Sequence, residues 1–187
     1  MLTFDRDKHE YRLNGRVVPS VTQILDSFVD LSRIPADVLE RKRQIGTAVH
    51  AAIDLDCSND LDEESIAPAW AGYFAGWRKF KAESGFIVES SERQVADKSG
   101  AYAGTLDLIG ELPKHRALID TKCTTSLYPT VGPQTAAYAK AAGETRIARY
   151  ALLLTPDGRY NLEPLTNPND FAVFNAALVI HYWRKSQ

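Results

Sequence analysis

The chain has 187 residues, 44% hydrophobic and 25% charged, with a formal net charge of −2. That size and balance fit one ordinary globular domain with a single core. The slight negative charge argues against a protein that holds nucleic acid by bulk positive charge alone. No apolar run reaches membrane-spanning length, and Met1–Arg6 lacks the basic-then-apolar pattern of a signal peptide, so the expectation is a cytoplasmic chain with no membrane contact. Its two cysteines, Cys57 and Cys123, are too few for a four-thiolate iron–sulfur or zinc site. A single disulfide between them stays open, although a cytoplasmic setting favours free thiols.

The opening residues read as a hairpin. Tyr11 and Leu13 lead into Asn14-Gly15, a strong hairpin-turn signal, and Val17 and Val18 resume beyond it. Ser20, after Pro19, is a good N-cap for the helix VTQILDSF. A second helix is expected over 36–56, where Ile45, Val49, Ala52 and Ile53 recur at helical spacing. The polar SNDLDEES precedes a third helix over 67–84, whose Trp70, Tyr73, Phe74, Trp77 and Phe80 read as core side chains rather than a base-stacking platform. After Gly85 the pattern becomes extended. Three strands are expected over 86–95, 101–112 and 117–123, separated by DKSG and PKHR. A helix over 133–142 ends at Gly143, a buried strand follows over 147–154, and PDGRY turns into a short strand near Leu162. A helix over 168–184 closes the sequence. This order predicts one mixed α/β domain over 1–187, with hairpin and helices in 1–85 and the αβ core in 86–187.

The stretch GTLDLIGELPKHRALIDTKCTTS carries the chemistry. Alternation along a strand puts Asp120 and Lys122 on one side with Leu118, and Ile119 and Thr121 on the other. A carboxylate and an ammonium on an otherwise apolar strand are costly to bury unless they pair, bind metal or react. Asp107, expected on one face with Thr105 and Ile109, is brought beside Asp120 by a tight hairpin through 113–116. Two carboxylates converging from neighbouring strands are hard oxygen ligands of the kind Mg²⁺ and Mn²⁺ prefer. Alone, the D-x-K triplet also reads as an ordinary surface ion pair.

Together with its surroundings this stretch resembles the PD-(D/E)XK nuclease superfamily, specifically its RecB-like and phage exonuclease branch. That pattern runs through a helical G-x-x-x-H, a strand glutamate, G-x-x-D, an apolar run into D-x-K, and Q-x-x-x-Y on a helix. Here it is met by Gly46-Thr47-Ala48-Val49-His50, Glu92, Gly104-Thr105-Leu106-Asp107, Leu118-Ile119-Asp120-Thr121-Lys122, and Gln134 with Tyr138. The resemblance implies a restriction-endonuclease-like α/β core, a central mixed sheet flanked by helices. It also implies hydrolysis of phosphodiester bonds at linear DNA ends, duplex or single-stranded, in phage-type recombination or repair, with a strand-annealing protein as partner. One or two Mg²⁺ or Mn²⁺ ions would be held by His50, Asp107, Asp120 and the Thr121 carbonyl, with no iron–sulfur cluster. Lys122 would act on the attacking water, Glu92 and Gln134 would support the site, and Tyr138 would touch phosphate. Thr121 stands where the pattern usually has a bulkier residue.

Each residue also has a plainer reading. His50 fits a core histidine, Glu92 a solvated glutamate, and Tyr138 a core aromatic beside Ala137 and Ala141. Gly46, one turn before His50, costs a helix about 1 kcal/mol relative to Ala, which suggests close approach by another group. Arg41-Lys42-Arg43 and Arg78-Lys79 with Lys81 read by default as solvated helix faces, and otherwise as a backbone-contacting DNA path. An endonuclease on the same fold and a non-catalytic DNA-binding scaffold are the alternatives to the exonuclease.

Overall fold

The structure, a computed structural model, describes every residue except Asp7 and Thr145. Two sheets organise it. The first is a three-stranded antiparallel sheet of β1 (Leu2–Asp5), β2 (Glu10–Leu13) and β3 (Arg16–Val18). Asn14 and Gly15 join β2 to β3 with φ of 51° and 81°. Two successive left-handed residues give the turn whose twist matches the flanking strands. β1 was not expected from the sequence, because its four residues alternate too briefly to stand out.

The second sheet has five strands in the order β4 (Ile87–Ala96), β5 (Ala103–Leu112), β6 (His115–Lys122), β7 (Ala148–Leu154) and β8 (Tyr160–Pro164). All neighbours are antiparallel except β6 and β7. That parallel pair needs a crossover, which α4 (Val131–Ala142) supplies. Helices cover both faces, as expected for a mixed α/β sheet. On one face α1 (Val21–Leu25), α4 and α5 (Asp170–Lys185) bury Val21, Ile24, Ala137, Tyr138 and Phe174 against Leu106, Ile109 and Leu118. On the other, α2 (Ala36–Ser58) and α3 (Pro68–Ser84) bury Val49, Ile53, Phe74, Trp77 and Phe80 against Leu108, Ile119, Leu152 and Leu154. Consecutive residues Leu118 and Ile119 thus serve opposite cores, which explains why β6 reads as an unbroken apolar run. The expected core aromatics of α3 are confirmed, with Trp70 and Tyr73 only partly covered.

Helix ends follow local chemistry. Ser20 caps α1 through Gln23 N–H, and the Gln23 side chain reaches back to Ser20 N–H, a reciprocal box. Asn59, Gly85 and Gly143 end α2, α3 and α4 in the left-handed conformation. α5 begins at Asp170, two residues later than expected, and β6 ends at Lys122 rather than Cys123. Cys57 and Cys123 are free thiols. Among the described residues no helix is long and apolar enough to cross a membrane.

The small sheet is fastened to the large one. Pro19 O accepts from Ala103 N at 3.0 Å, and the Tyr11 hydroxyl meets Thr105 Oγ1 at 2.7 Å. The Arg78 and Lys81 cluster forms a bracket between helices: Arg78 pairs with Asp56 and Glu63, and Lys81 with Asp56, whose Oδ2 also accepts from Trp77 Nε1. These cations are therefore ion-paired within the chain while staying partly exposed. Arg43 pairs with Glu40, while Arg41 and Lys42 form no ion pair among the described residues. Because the Ser20 box fixes both α1 and the Pro19–Ala103 junction, Ser20→Ala is expected to cost about 1 kcal/mol, measured by urea unfolding.

Candidate metal centre and its surroundings

The site forms where two strands lose their alternation together. On β5, Leu106 and Ile109 both enter the α1/α4/α5 core, while Leu108 enters the other. Strict alternation cannot place residues three apart on one face, so the strand is re-aimed between them, at Asp107. This corrects the expected common face of Thr105, Asp107 and Ile109. On β4, Glu92 lies between the pairs Ser91–Leu108 and Arg93–Leu106 and has φ of 44°. A left-handed backbone at a non-glycine residue costs about 1–3 kcal/mol and persists only when its surroundings hold it.

The β5–β6 ladder stops at the same level. Its last pair is Leu108–Ile119, whereas β6 stays paired to β7 as far as Lys122–Leu153. Continued by one residue, the β5–β6 register sets Asp107 across from Asp120. The main chain of Thr121 is then taken by side chains: its N–H donates to Asp107 Oδ2 at 2.6 Å, and its carbonyl lies 3.0 Å from His50 Nε2. The other imidazole nitrogen, Nδ1, is 3.2 Å from Glu92 Oε1 and 3.6 Å from Asp107 Oδ2. Ligand atoms of His50, Glu92 and Asp107 all lie within 4.8 Å of one another, a group that could hold a metal ion. The three side chains are 27%, 30% and 12% exposed, so the cluster borders solvent without being washed by it.

Asp120 and Lys122 stand beside this cluster as a separate pair. Asp120 is 1% exposed, and its Oδ2 lies 2.6 Å from Lys122 Nζ. Neither of its oxygens accepts a well-angled hydrogen bond among the described residues. Burial raises the Asp120 pKa to about 6 against the lowering effect of Lys122. For Lys122 burial acts downward, but the charges of Asp120 and Asp107 outweigh it and raise its pKa, so the ammonium form persists. Burial also acts downward on His50, and Asp107 and the Glu92 hydrogen bond outweigh it, bringing its pKa up to about 9. Gathered carboxylates, one lacking proper partners, suit a hard divalent cation whose charge would satisfy them. The donor set of carboxylates, one imidazole and a main-chain carbonyl fits Mg²⁺ or Mn²⁺.

α4 supplies the far wall. Gln134 and Tyr138, one turn apart, are linked by Gln134 Nε2 donating to the Tyr138 hydroxyl at 3.4 Å. Tyr138 is buried, and burial together with the Asp120 and Asp107 charges holds its phenol well above the usual pKa. Its plainer reading, a core aromatic, is borne out, and it also lies within electrostatic reach of the acidic cluster. Gly104 makes that packing possible, because a Cβ there would stand 2.6 Å from Tyr138 Cε1. Gly46 has no such neighbour: beyond its own helix backbone, a Cβ there would meet nothing within 4 Å among the described residues, so the expected close approach is not seen.

The site therefore brings together His50, Glu92 and Asp107, with the Thr121 main chain bound to two of them, and sets Asp120 with Lys122 and Gln134 with Tyr138 alongside. Sequence reasoning missed Tyr11, whose raised pKa comes first from burial and also reflects the Glu92 charge. It also missed Asp54, whose position one turn beyond His50 was the available signal.

The chain matches no family model and no curated protein. It is similar to the solved structure of LHK-Exo in complex with dAMP, at 15% identity over 86% of this chain and 84% of that one, with a TM-score of 0.48. It is also similar to an alkaline exonuclease (LHK-Exo) from Laribacter hongkongensis, at 14% identity over 90% and 92%, TM-score 0.46. A third similarity is to SSO0001, at 15% identity over 84% and 80%, TM-score 0.35.

Gly104→Ala would force the Tyr138 ring off the strand. The expected loss is about 1–3 kcal/mol of stability by overpacking, read from denaturant unfolding, with a shifted Tyr138 environment in near-ultraviolet circular dichroism.

Proposed function

We propose that the chain is a divalent-metal-dependent deoxyribonuclease. The observation that carries this reading is the junction at Thr121, where a His–Glu–Asp cluster adjoins a buried Asp120–Lys122 pair at the point where β5 parts from β6. His50, Glu92, Asp107, Asp120 and the Thr121 carbonyl are the donors proposed to hold one or two Mg²⁺ or Mn²⁺ ions. When bound, such an ion supplies charge that polarises a phosphoryl oxygen and favours ionisation of water.

The protein's own groups do the rest. Lys122, kept cationic by Asp120 and Asp107, presents its N–H donors to the attacking water or to a non-bridging phosphate oxygen as charge grows there. Asp120 fixes that ammonium in place. Asp107 has two duties, since it holds the Thr121 N–H with Oδ2 and faces the cluster with the same carboxylate. In this fold Glu92 and Thr121 O engage the two imidazole nitrogens of His50 and fix its ring plane; to hold an ion His50 would lose its extra proton and turn one of these nitrogens to the metal. Gln134 and Tyr138 close the site from α4 and offer an amide and a hydroxyl to the substrate backbone.

Substrate and polarity of attack are the finer part of the proposal. We favour linear DNA ends, hence an exonuclease in phage-type recombination or repair acting beside a strand-annealing protein, on the motif set described above. The basic side chains of Arg41 and Lys42 on α2 are available to backbone phosphates, whereas the ion-paired Arg78 and Lys81 are not.

Incubating linear and covalently closed DNA with Mg²⁺ or Mn²⁺ tests this directly. Loss of the linear form alone is expected. Nicking of circles would instead assign an endonuclease, and binding without cleavage a non-catalytic module. Lys122→Ala is expected to lower cleavage by about 10²–10³-fold with the fold retained, which circular dichroism checks; digestion at the wild-type rate would remove Lys122 from the mechanism. In thermal melts, Mn²⁺ at a hundred times its Kd should add about 2.7 kcal/mol of stability to the wild type and far less to Asp107→Ala.

A further inference from the structure

Two consecutive residues of β4 reach the same helix. Glu92 extends to His50, and Ser91 donates from its hydroxyl to Asp54 Oδ1. Neighbours on a regular strand point to opposite faces, so both cannot do this without a break in the backbone. The break is the left-handed Glu92. His50 and Asp54 lie one turn apart on α2 and share a face. The helix therefore grips β4 at two successive side chains, one on each side of the strained peptide.

A strained residue needs an external hold. Around Glu92 the main-chain ladder pairs Ser91 with Leu108 and Arg93 with Leu106 but skips Glu92 itself, and β4 is irregular again between Val88 and Ser90. What fixes the strand laterally against α2 beside Glu92 is the Ser91–Asp54 hydrogen bond, part-buried and made between side chains thirty-seven positions apart. Asp54 itself is outside the His50–Glu92–Asp107 group.

We propose that Asp54 and Ser91 are a positioning pair, which holds Glu92 in its left-handed conformation so that its carboxylate stays with His50 and Asp107. This rests on the metal reading given above. In that role Asp54 acts as a hydrogen-bond acceptor and its charge is dispensable. Asparagine keeps an acceptor oxygen there; alanine does not.

The test is Mn²⁺ binding by titration calorimetry on the whole chain, with melting in EDTA measured in parallel. Asp54→Ala and Ser91→Ala are each expected to weaken Mn²⁺ binding about tenfold, the scale on which partners of metal-holding residues act. The double variant should lose little more than either single one, because both remove the same bond. Asp54→Asn should bind close to wild type. Asp107→Ala serves as the reference loss. If Asp107→Ala weakens binding while Asp54→Ala and Ser91→Ala do not, the positioning pair is wrong and the metal reading stands. If Asp54→Asn falls as far as Asp54→Ala, the charge is what matters and the proposal is overturned. If Asp54→Ala melts lower in EDTA yet holds Mn²⁺ as the wild type does, the bond is merely structural. If Asp107→Ala retains full affinity, the metal reading fails and takes the positioning pair with it.

Discussion

Everything at the site depends on one hydrogen-bonding exchange at Thr121. In an uninterrupted ladder, the main chain of β5 would satisfy β6 at this level, and the central sheet would be sealed. Instead β5 and β6 part after Leu108–Ile119, and a carboxylate and an imidazole take the Thr121 N–H and C=O. Main-chain groups near a sheet centre must find partners, so the parting is tolerable only because side chains of the right chemistry stand ready. The opening lets residues from the α2 face and the α4 face come within electrostatic reach of each other across one sheet.

The electrostatic character of this place differs from that of the rest of the molecule. Arg116 is held between Glu89 and Glu144, Arg78 between Asp56 and Glu63, and Arg149 pairs with the buried Asp170. In each of those networks every carboxylate has a cation within ion-pair distance, and their work is to join elements. Around Thr121 the acids outnumber the fixed cations, and Asp120 is buried without well-angled donors. Such an imbalance is a cost to the stability of the fold. The strained Glu92 belongs to the same account.

Much of this was legible in the sequence because its signals are local. The Asn14-Gly15 turn, the Ser20 cap, the apolar period of α2 and α3, and the spacing of Asp120 and Lys122 depend on neighbours within a few residues. So did the pairing of Gln134 with Tyr138. The irregularity at Asp107 and Glu92 was not legible: alternation assigned Asp107 a face with Ile109, and only contacts between β4, β5 and α2 reverse that. The ion pairs of Arg78 were not legible for a related reason, since its partners Asp56 and Glu63 lie fifteen and more positions away on other elements. Gly46 signalled a close approach that is not seen among the described residues. Candidate donor types were readable as chemistry, whereas which of them cluster and which stand apart as a pair needed coordinates.

The wide separation of the clustered residues along the chain has a bearing on how the molecule comes together. His50 meets Glu92 across forty-two positions and Thr121 across seventy-one, whereas the β5–β6 hairpin closes over a two-residue turn. Local hairpins form early and distant contacts late, since closing long loops carries the larger entropic cost. A nascent hairpin would thus hold Asp107 near the local Asp120–Lys122 pair, with the imidazole joining only once α2 docks. Closure of the His50–Glu92–Asp107 cluster would then mark completion of the last long-range step of folding.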